Sequence, residues 1–506
     1  MRFLIVLGLS LGLSALIAGA SPAIADTKLP KAPDTIVLTG TITGKDHQTY
    51  KELPFQVPAG IGRITVSFRY GGRDLKTTID LGLYDPHGFR GWSGGNKSSF
   101  TIAKTDATPS YLPGPLPQGT WKLLLGIPNI RANVTAEYEA RITLSASAGD
   151  LASLDDQPIR PDAGWYRGDF HAHTGHSDGV CTSIGAKRVP CPVFLTLEAA
   201  QAAGLDFIAI SDHNTVSTFN SLRELQPYFD TLLVLPAREI TTFFGHINAF
   251  GFTSPVDFQL GSSRLPNLGA LQDQVVANHG LMSINHPALP SGEACMGCGW
   301  TVKQTDFRRI QAVEVVNGGA VQYTGSAEGA LSQIPFWEDL LNQGYKITAI
   351  GGSDNHDAKI QDQQAGPPPI GRPTTLVYAQ NLSQSAILDG VRSGRVTVDL
   401  EGIKGRRVDL RVSSDGAQTE MGGRLKLPAG GHARFEIHGV GFEGCQIEFV
   451  TGPQNTAPRL ASQYFEQADD KKVSEVIGAG TSFWLRVNIR DRAGRLIALT
   501  NPIYVD

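Results

Sequence analysis

From residue 33 to 147, apolar and polar residues alternate in short runs. Residues 64–68, 81–84 and 121–125 have the two-residue period of strands with opposite faces in different surroundings. Gly71-Gly72, Asp85-Pro86 and the stretch 115–119 punctuate them as turns. The pattern predicts an all-β sandwich over 26–150. Residues 148–164 are polar, carry Asp155-Asp156 and two prolines, and read as a linker.

From Trp165 to about Leu400 the rhythm changes. Short apolar runs at 166–171, 207–210, 232–235, 247–250, 282–284, 312–316, 348–350 and 375–378 predict strands. Longer stretches at 193–203, 268–279, 336–342 and 383–393 predict helices. Strand followed by helix, about seven times over, suggests an α/β barrel spanning 151–402. Strand-and-turn alternation returns over 403–506, with Gly422-Gly423 and Gly430-Gly431 as turns, and predicts a second β-sandwich.

Composition narrows the class. The chain has 506 residues, 41% of them hydrophobic, with 57 Gly that follow no period, which excludes a disordered or collagen-like chain. The net charge of −4 offers no basic excess, so nucleic acid is not an expected partner. Residues 1–25 read as a signal peptide: Arg2, an apolar stretch, then Ala23-Ile24-Ala25 as a small-x-small cleavage site. Beyond them no stretch approaches the roughly 18 apolar residues of a membrane span. A periplasmic or secreted protein without stable membrane insertion is therefore expected. Such a compartment permits disulfides. Cys181 and Cys191 bracket a short loop, Cys295 and Cys298 form a C-x-x-C, and Cys445 stands apart. The first four allow three pairings, and the C-x-x-C also suits half a zinc site or a redox pair.

The histidines carry the chemistry. His171-x-His173 closes the first predicted strand, and Asp178 follows. Asp212-His213 ends the second, Glu239 follows the third, His246 opens the next, His286 follows 282–284, and Asp354-x-His356 follows 348–350. In an extended segment i and i+2 point the same way, so one metal can take both rings of a His-x-His. In a parallel barrel the strand ends converge on one face, where active sites are built. Imidazoles and carboxylates gathered there are a donor set for zinc, manganese or iron.

The strings at 169–179, 204–215, 284–287 and 352–356, each containing at least one of these histidines, resemble the motifs of the PHP (polymerase and histidinol phosphatase) superfamily. Segments 238–242, 245–248 and 370–375 are most similar to its exported branch, which includes carbaryl hydrolases. The resemblance covers about 165–400. It implies a distorted (β/α)7 barrel, here flanked by two all-β sandwiches, with two to three divalent transition-metal ions. By motif, His171, His173, Glu239 and Asp354 would hold the first ion, and Glu239 would bridge to a second held by His246 and His286. Asp178, His213 and His356 would hold a third, with Asp178 standing where some members have His.

Such a site implies hydrolysis of a small-molecule ester. The first expectation is a phosphoesterase whose nucleophile is a hydroxide shared by two ions. The alternatives are a carbamate esterase of the carbaryl-hydrolase type and a non-catalytic envelope binding protein. The expected catalytic residues are Glu239, His213 or Asp212 in proton transfer, and Arg372 as an anion clamp, with Asp212 also expected to orient a metal ligand. Glu314 is either a pocket residue or a buried structural carboxylate.

Overall fold

The computed structural model describes residues 34–95, 97–146, 156–293, 295, 297–359, 368–453, 457–478 and 480–506. The leader read over 1–25 and the first half of the linker lie outside them. No described helix is long and apolar enough to cross a membrane.

Eight strands between Asp34–Thr43 and Thr135–Ser145 form two four-stranded antiparallel sheets. Alternation along Arg63–Tyr70 and Thr135–Ser145 turns Ile64, Val66, Ala140 and Ile142 inward to meet Leu81, Leu83, Trp121 and Leu123 of the other sheet. Phe100 stacks on Tyr111 at 3.8 Å between ring centroids in that core.

The central part is a run of hydrogen-bonded strands ordered Thr348–Gly352, Ala312–Asn317, Leu281–Ile284, Gly245–Phe250, Leu233–Thr242, Phe207–Ile210, Gly164–Asp169 and Thr374–Ala379. The run turns back on itself beyond its strands: Ala172 bridges Asn355 in parallel, His173 N donates to Asn355 O (2.9 Å), and Asp354 N donates to His171 O (2.8 Å). The expected sevenfold strand–helix alternation is not observed. Leu233–Thr242 and Gly245–Phe250 form an antiparallel hairpin, and among the described residues only a 3-10 turn, Phe307–Arg309, separates Leu281–Ile284 from Ala312–Asn317. Six α-helices are described in all, and the molecule is mostly β. Two of them, Phe219–Leu225 and Gly318–Thr324, escaped the sequence pattern because seven residues are too few to display a helical period.

Two strand boundaries matter for the site. The first strand ends at Asp169, so His171 and His173 lie past it in an extended segment rather than on it. The third continues through Pro236 to Thr242, placing Glu239 inside the strand rather than after it. Pro236 is tolerated there because it stands where the strand passes from its parallel partner (Ile210 opposite Pro236) to its antiparallel one (Ala237 opposite Phe250).

The C-terminal residues build two sheets around Val408, Leu410, Phe435, Ile437, Leu485 and Val487. One is the four-stranded sheet that includes Arg407–Ser414 and His432–Val440. The other is continuous with the central run, since Val396–Asp399 pairs with Leu496–Thr500. Cys181 pairs with Cys191 and Cys295 with Cys298, while Cys445 is a buried free thiol.

Candidate metal centre

Asp169, at the end of the first strand, organises the floor of the site. Its carboxylate accepts hydrogen bonds from His171 N (3.0 Å), Ser353 N (2.9 Å) and Gly371 N (2.8 Å), tying three segments together. Complete burial raises its pKa, against the lowering effect of those bonds. The segments so fixed carry His171 and Asp354. Backbone strain accompanies them: Asp354 has φ +56° and His286 φ +27°, left-handed values costing roughly 1–3 kcal/mol each in residues with a Cβ.

Glu239 lies at the centre, 1% exposed. Its Oε1 stands 3.2 Å from His246 Nδ1 and 3.2 Å from His286 Nε2, and accepts from Asn285 Nδ2 at 2.9 Å. Its Oε2 stands 3.4 Å from His171 Nε2, 3.5 Å from His173 Nε2 and 3.0 Å from His213 Nδ1. Asp354 Oδ1 completes the second group, 3.3 Å from His171 Nε2 and 3.2 Å from His173 Nε2. At the more exposed rim Asp178 lies 3.6 Å from His213 Nε2 and 3.3 Å from His356 Nε2. His173 joins these three in one cluster, and His171 joins Glu239 and His286 in another. All nine expected ligands are thus brought together, with His171 and His173 reaching more than one group.

The donor set fits divalent cations. His171 Nε2 and both ring nitrogens of His173 are buried without a hydrogen-bond partner among the described atoms, although carboxylate oxygens stand 3.2–3.5 Å from the two Nε2 atoms. Donors bound at about 2.1 Å to one centre stand roughly 3.0–3.4 Å apart, so these spacings suit atoms that face a common cation rather than each other.

The charges agree. Burial works against it, yet Asp354, Glu314 and Glu239 raise His171 well above the ordinary imidazole value. His213 is pushed up to about 10 and His356 to about 9, against burial, by Glu239 with Asp178 and by Asp178 with Asp354 respectively. Burial, and then the neighbouring His356, pull His173 down to about 4. Glu239 and Asp354 are held well below the carboxylate range by the surrounding imidazoles, again against burial. A cation bound among these carboxylates would supply the positive charge that they favour.

Two expected catalytic residues have other surroundings. Asp212 is saturated: Oδ1 accepts from Thr174 N (2.8 Å) and Ser177 Oγ (2.7 Å), and Oδ2 from Thr174 Oγ1 (2.8 Å) and Thr218 Oγ1 (2.5 Å). It anchors the loop between His173 and Asp178. Arg372 is exposed and is not gathered into the cluster. Its stem lies against Gly402, where an added Cβ would come 3.2 Å from Arg372 Cγ.

Other residues complete the centre. Glu314 Oε1 is 2.9 Å from His171 Nδ1, and its Oε2 accepts from His286 N (2.9 Å) and Asn317 Nδ2 (3.1 Å). It fixes the ring that faces Glu239, as carboxylates commonly do for histidine ligands. Thr241 Oγ1 is 2.6 Å from His213 Nδ1. The single acid in the apolar run 312–316 was the legible signal for Glu314. Asn285 was legible as the neighbour of His286, with a positional or a substrate role open, whereas Asn317 and Thr241 gave no signal.

Elemental analysis after reconstitution is expected to find two or three transition-metal ions per chain. Fewer than one equivalent on folded protein would contradict a polynuclear centre.

No protein-family model and no curated protein match the sequence. Among solved structures, the chain is similar to a two-domain protein of Bacteroides vulgatus described as containing a PHP-like metal-dependent phosphoesterase. The TM-score is 0.38 at 15% identity, covering 68% of this chain and 97% of that one. A second, described as a metal-dependent phosphoesterase of Bifidobacterium adolescentis, gives a TM-score of 0.29 at 15% identity, covering 44% and 94%. Likeness at this level carries no functional weight, and the chemistry rests on the motifs and the donor geometry.

Proposed function

We propose that the protein is a metal-dependent phosphoesterase acting on a small-molecule phosphate ester. The observation that carries this reading is Glu239, whose two buried oxygens face two separate histidine groups. That is the arrangement of a carboxylate shared by two ions. Divalent ions, when bound, supply a water nucleophile active near neutral pH and polarise a phosphoryl oxygen.

The chain's own residues divide the remaining work. Glu314 and Asn285 fix His171 and Glu239, so the donors need little rearrangement. Asp212 holds the Thr174–Ser177 turn and with it the approach to Asp178. His213, His356 and Asp178, with 28%, 32% and 59% of their side chains exposed, form the open side where an ester would enter. Three donor groups favour phosphate over a carbonyl ester. A transferring phosphoryl group spreads charge over three equatorial oxygens, whereas a carbonyl develops one oxyanion. The leader-like first 25 residues and the two disulfides support a periplasmic or secreted setting.

The test sets metal-loaded protein against an aryl phosphate, a phosphodiester and an aryl carbamate side by side. Phosphate-ester turnover that a chelator abolishes and metal restores is expected. Carbamate turnover alone would replace the proposal with a carbamate esterase, and a fully loaded but inert protein would favour a binding role.

A further inference from the structure

Cys298 is completely buried, and its Sγ lies within 4.8 Å of a ring nitrogen of both His246 and His286. The loop that carries it is pinned on both sides of those histidines. Gly297, at φ +77°, packs so tightly on the hairpin leading into His246 that an added Cβ would come 2.1 Å from Thr242 O. Thr301 N donates to Phe244 O at 2.7 Å, and Trp300 N to Pro287 O, one residue past His286, at 2.9 Å. His286 is 3% exposed, and its Nδ1 has no hydrogen-bond partner among the described atoms. A sulfur held between two buried imidazoles is the third member of a His2Cys set. In the structure that sulfur is paired with Cys295, which is only partly buried.

We infer that Cys298 is a conditional metal ligand: reduction of the Cys295–Cys298 disulfide frees its sulfur to join His246 and His286 on the second ion, and oxidation withdraws it. The inference rests on the metal-centre reading above. The asymmetry of burial sets the course of reduction. An external dithiol reaches Cys295 Sγ, its thiolate attacks there, the S–S bond breaks, and Cys298 departs as a thiolate towards the two imidazoles. The second thiol of the reductant then displaces Cys295 from the mixed disulfide. The dithiol leaves as a disulfide, having lost two electrons and two protons. Cys295 keeps one proton, and the other passes to solvent when Cys298 binds as thiolate. Adding a soft donor to an imidazole and carboxylate set shifts its preference towards zinc. The other disulfide does not compete for mild reductant, because Cys181 and Cys191 are 0% and 2% exposed.

Cobalt(II) substitution tests this without reference to turnover. The oxidised full-length protein, the protein after mild dithiol reduction, and the Cys295→Ser and Cys298→Ser variants are each loaded with cobalt(II), and their spectra recorded. A sulfur-to-cobalt charge-transfer band is expected in the reduced protein. It is expected in Cys295→Ser without any reductant, and it should be lost in the oxidised protein and in Cys298→Ser. Zinc affinity should be at least about tenfold tighter in Cys295→Ser than in the oxidised protein. Cobalt bound with identical spectra in the oxidised protein and in Cys295→Ser would overturn the inference and leave the metal centre standing. Failure of every form to bind cobalt would overturn both.

Discussion

Replacing Glu239 with Gln is expected to lower turnover by at least about 10², a loss of roughly 2.7 kcal/mol in transition-state stabilisation. The residue is 1% exposed, and its two oxygens meet different sets of imidazoles. Glutamine keeps its length and can keep one oxygen in place. Its amide end, however, must present hydrogens either to the His246 and His286 side or to the His171 and His173 side. One of those groups then loses both its negative charge and its acceptor, and the cation it would share is displaced. The same loss should appear on whichever ester is turned over fastest, because the nucleophile is common to all. Metal content should fall by about one ion per chain, while unfolding of the flanking sandwiches stays unchanged. Near-normal turnover with a full metal complement would remove Glu239 from the bridging position.

The site was more legible in the sequence than the architecture that builds it. Histidines and carboxylates placed at the ends of apolar runs announce a shared face, because strand ends converge wherever strands lie side by side. All nine expected ligands meet for that reason. The sequence misled where a partner decides the outcome. Pro236 reads as a strand terminator, yet the strand runs through it because hydrogen bonding changes sides at that residue. The hairpin at Thr242–Gly245 has the same apolar composition as two parallel strands, so the seven expected strand–helix units do not form. Asp212 reads either as a proton donor or as a residue that orients a ligand, and the hydroxyls of Thr174, Ser177 and Thr218 that occupy its oxygens come from 38, 35 and 6 residues away. Roles set by contacts 28 to 143 residues away, such as Thr241 on His213 and Glu314 on His171, lie beyond any local pattern.

Asp106→Ala is expected to cost about 3–5 kcal/mol, the range for removing one partner of a buried ion pair. Asp106 is 0% exposed and holds Arg63, 4% exposed, through two bonds of 2.8 and 2.9 Å, while Arg223 Nη2 reaches its Oδ2 at 2.5 Å. Arg63 belongs to the N-terminal sandwich and Arg223 to the helix Phe219–Leu225. Asn220 of that helix reinforces the joint by accepting from Ala107 N at 2.9 Å and donating to Thr105 O at 3.1 Å. Alanine would remove the buried carboxylate that both guanidinium groups share. The effect should reach the metal centre, because Thr218, which precedes the helix, donates to Asp212, and Asp212 holds the loop between His173 and Asp178. Denaturant unfolding should therefore show an early transition of the N-terminal sandwich. Metal retention should weaken at Asp178, His213 and His356 before it weakens at the buried groups around Glu239. A combined variant, Asp106→Leu with Arg63→Met and Arg223→Met, removes the charges together and should regain most of the lost stability. If Asp106→Ala instead unfolds within about 0.5 kcal/mol of the parent, the change typical of an ordinary surface position, the trio is not the joint between sandwich and helix.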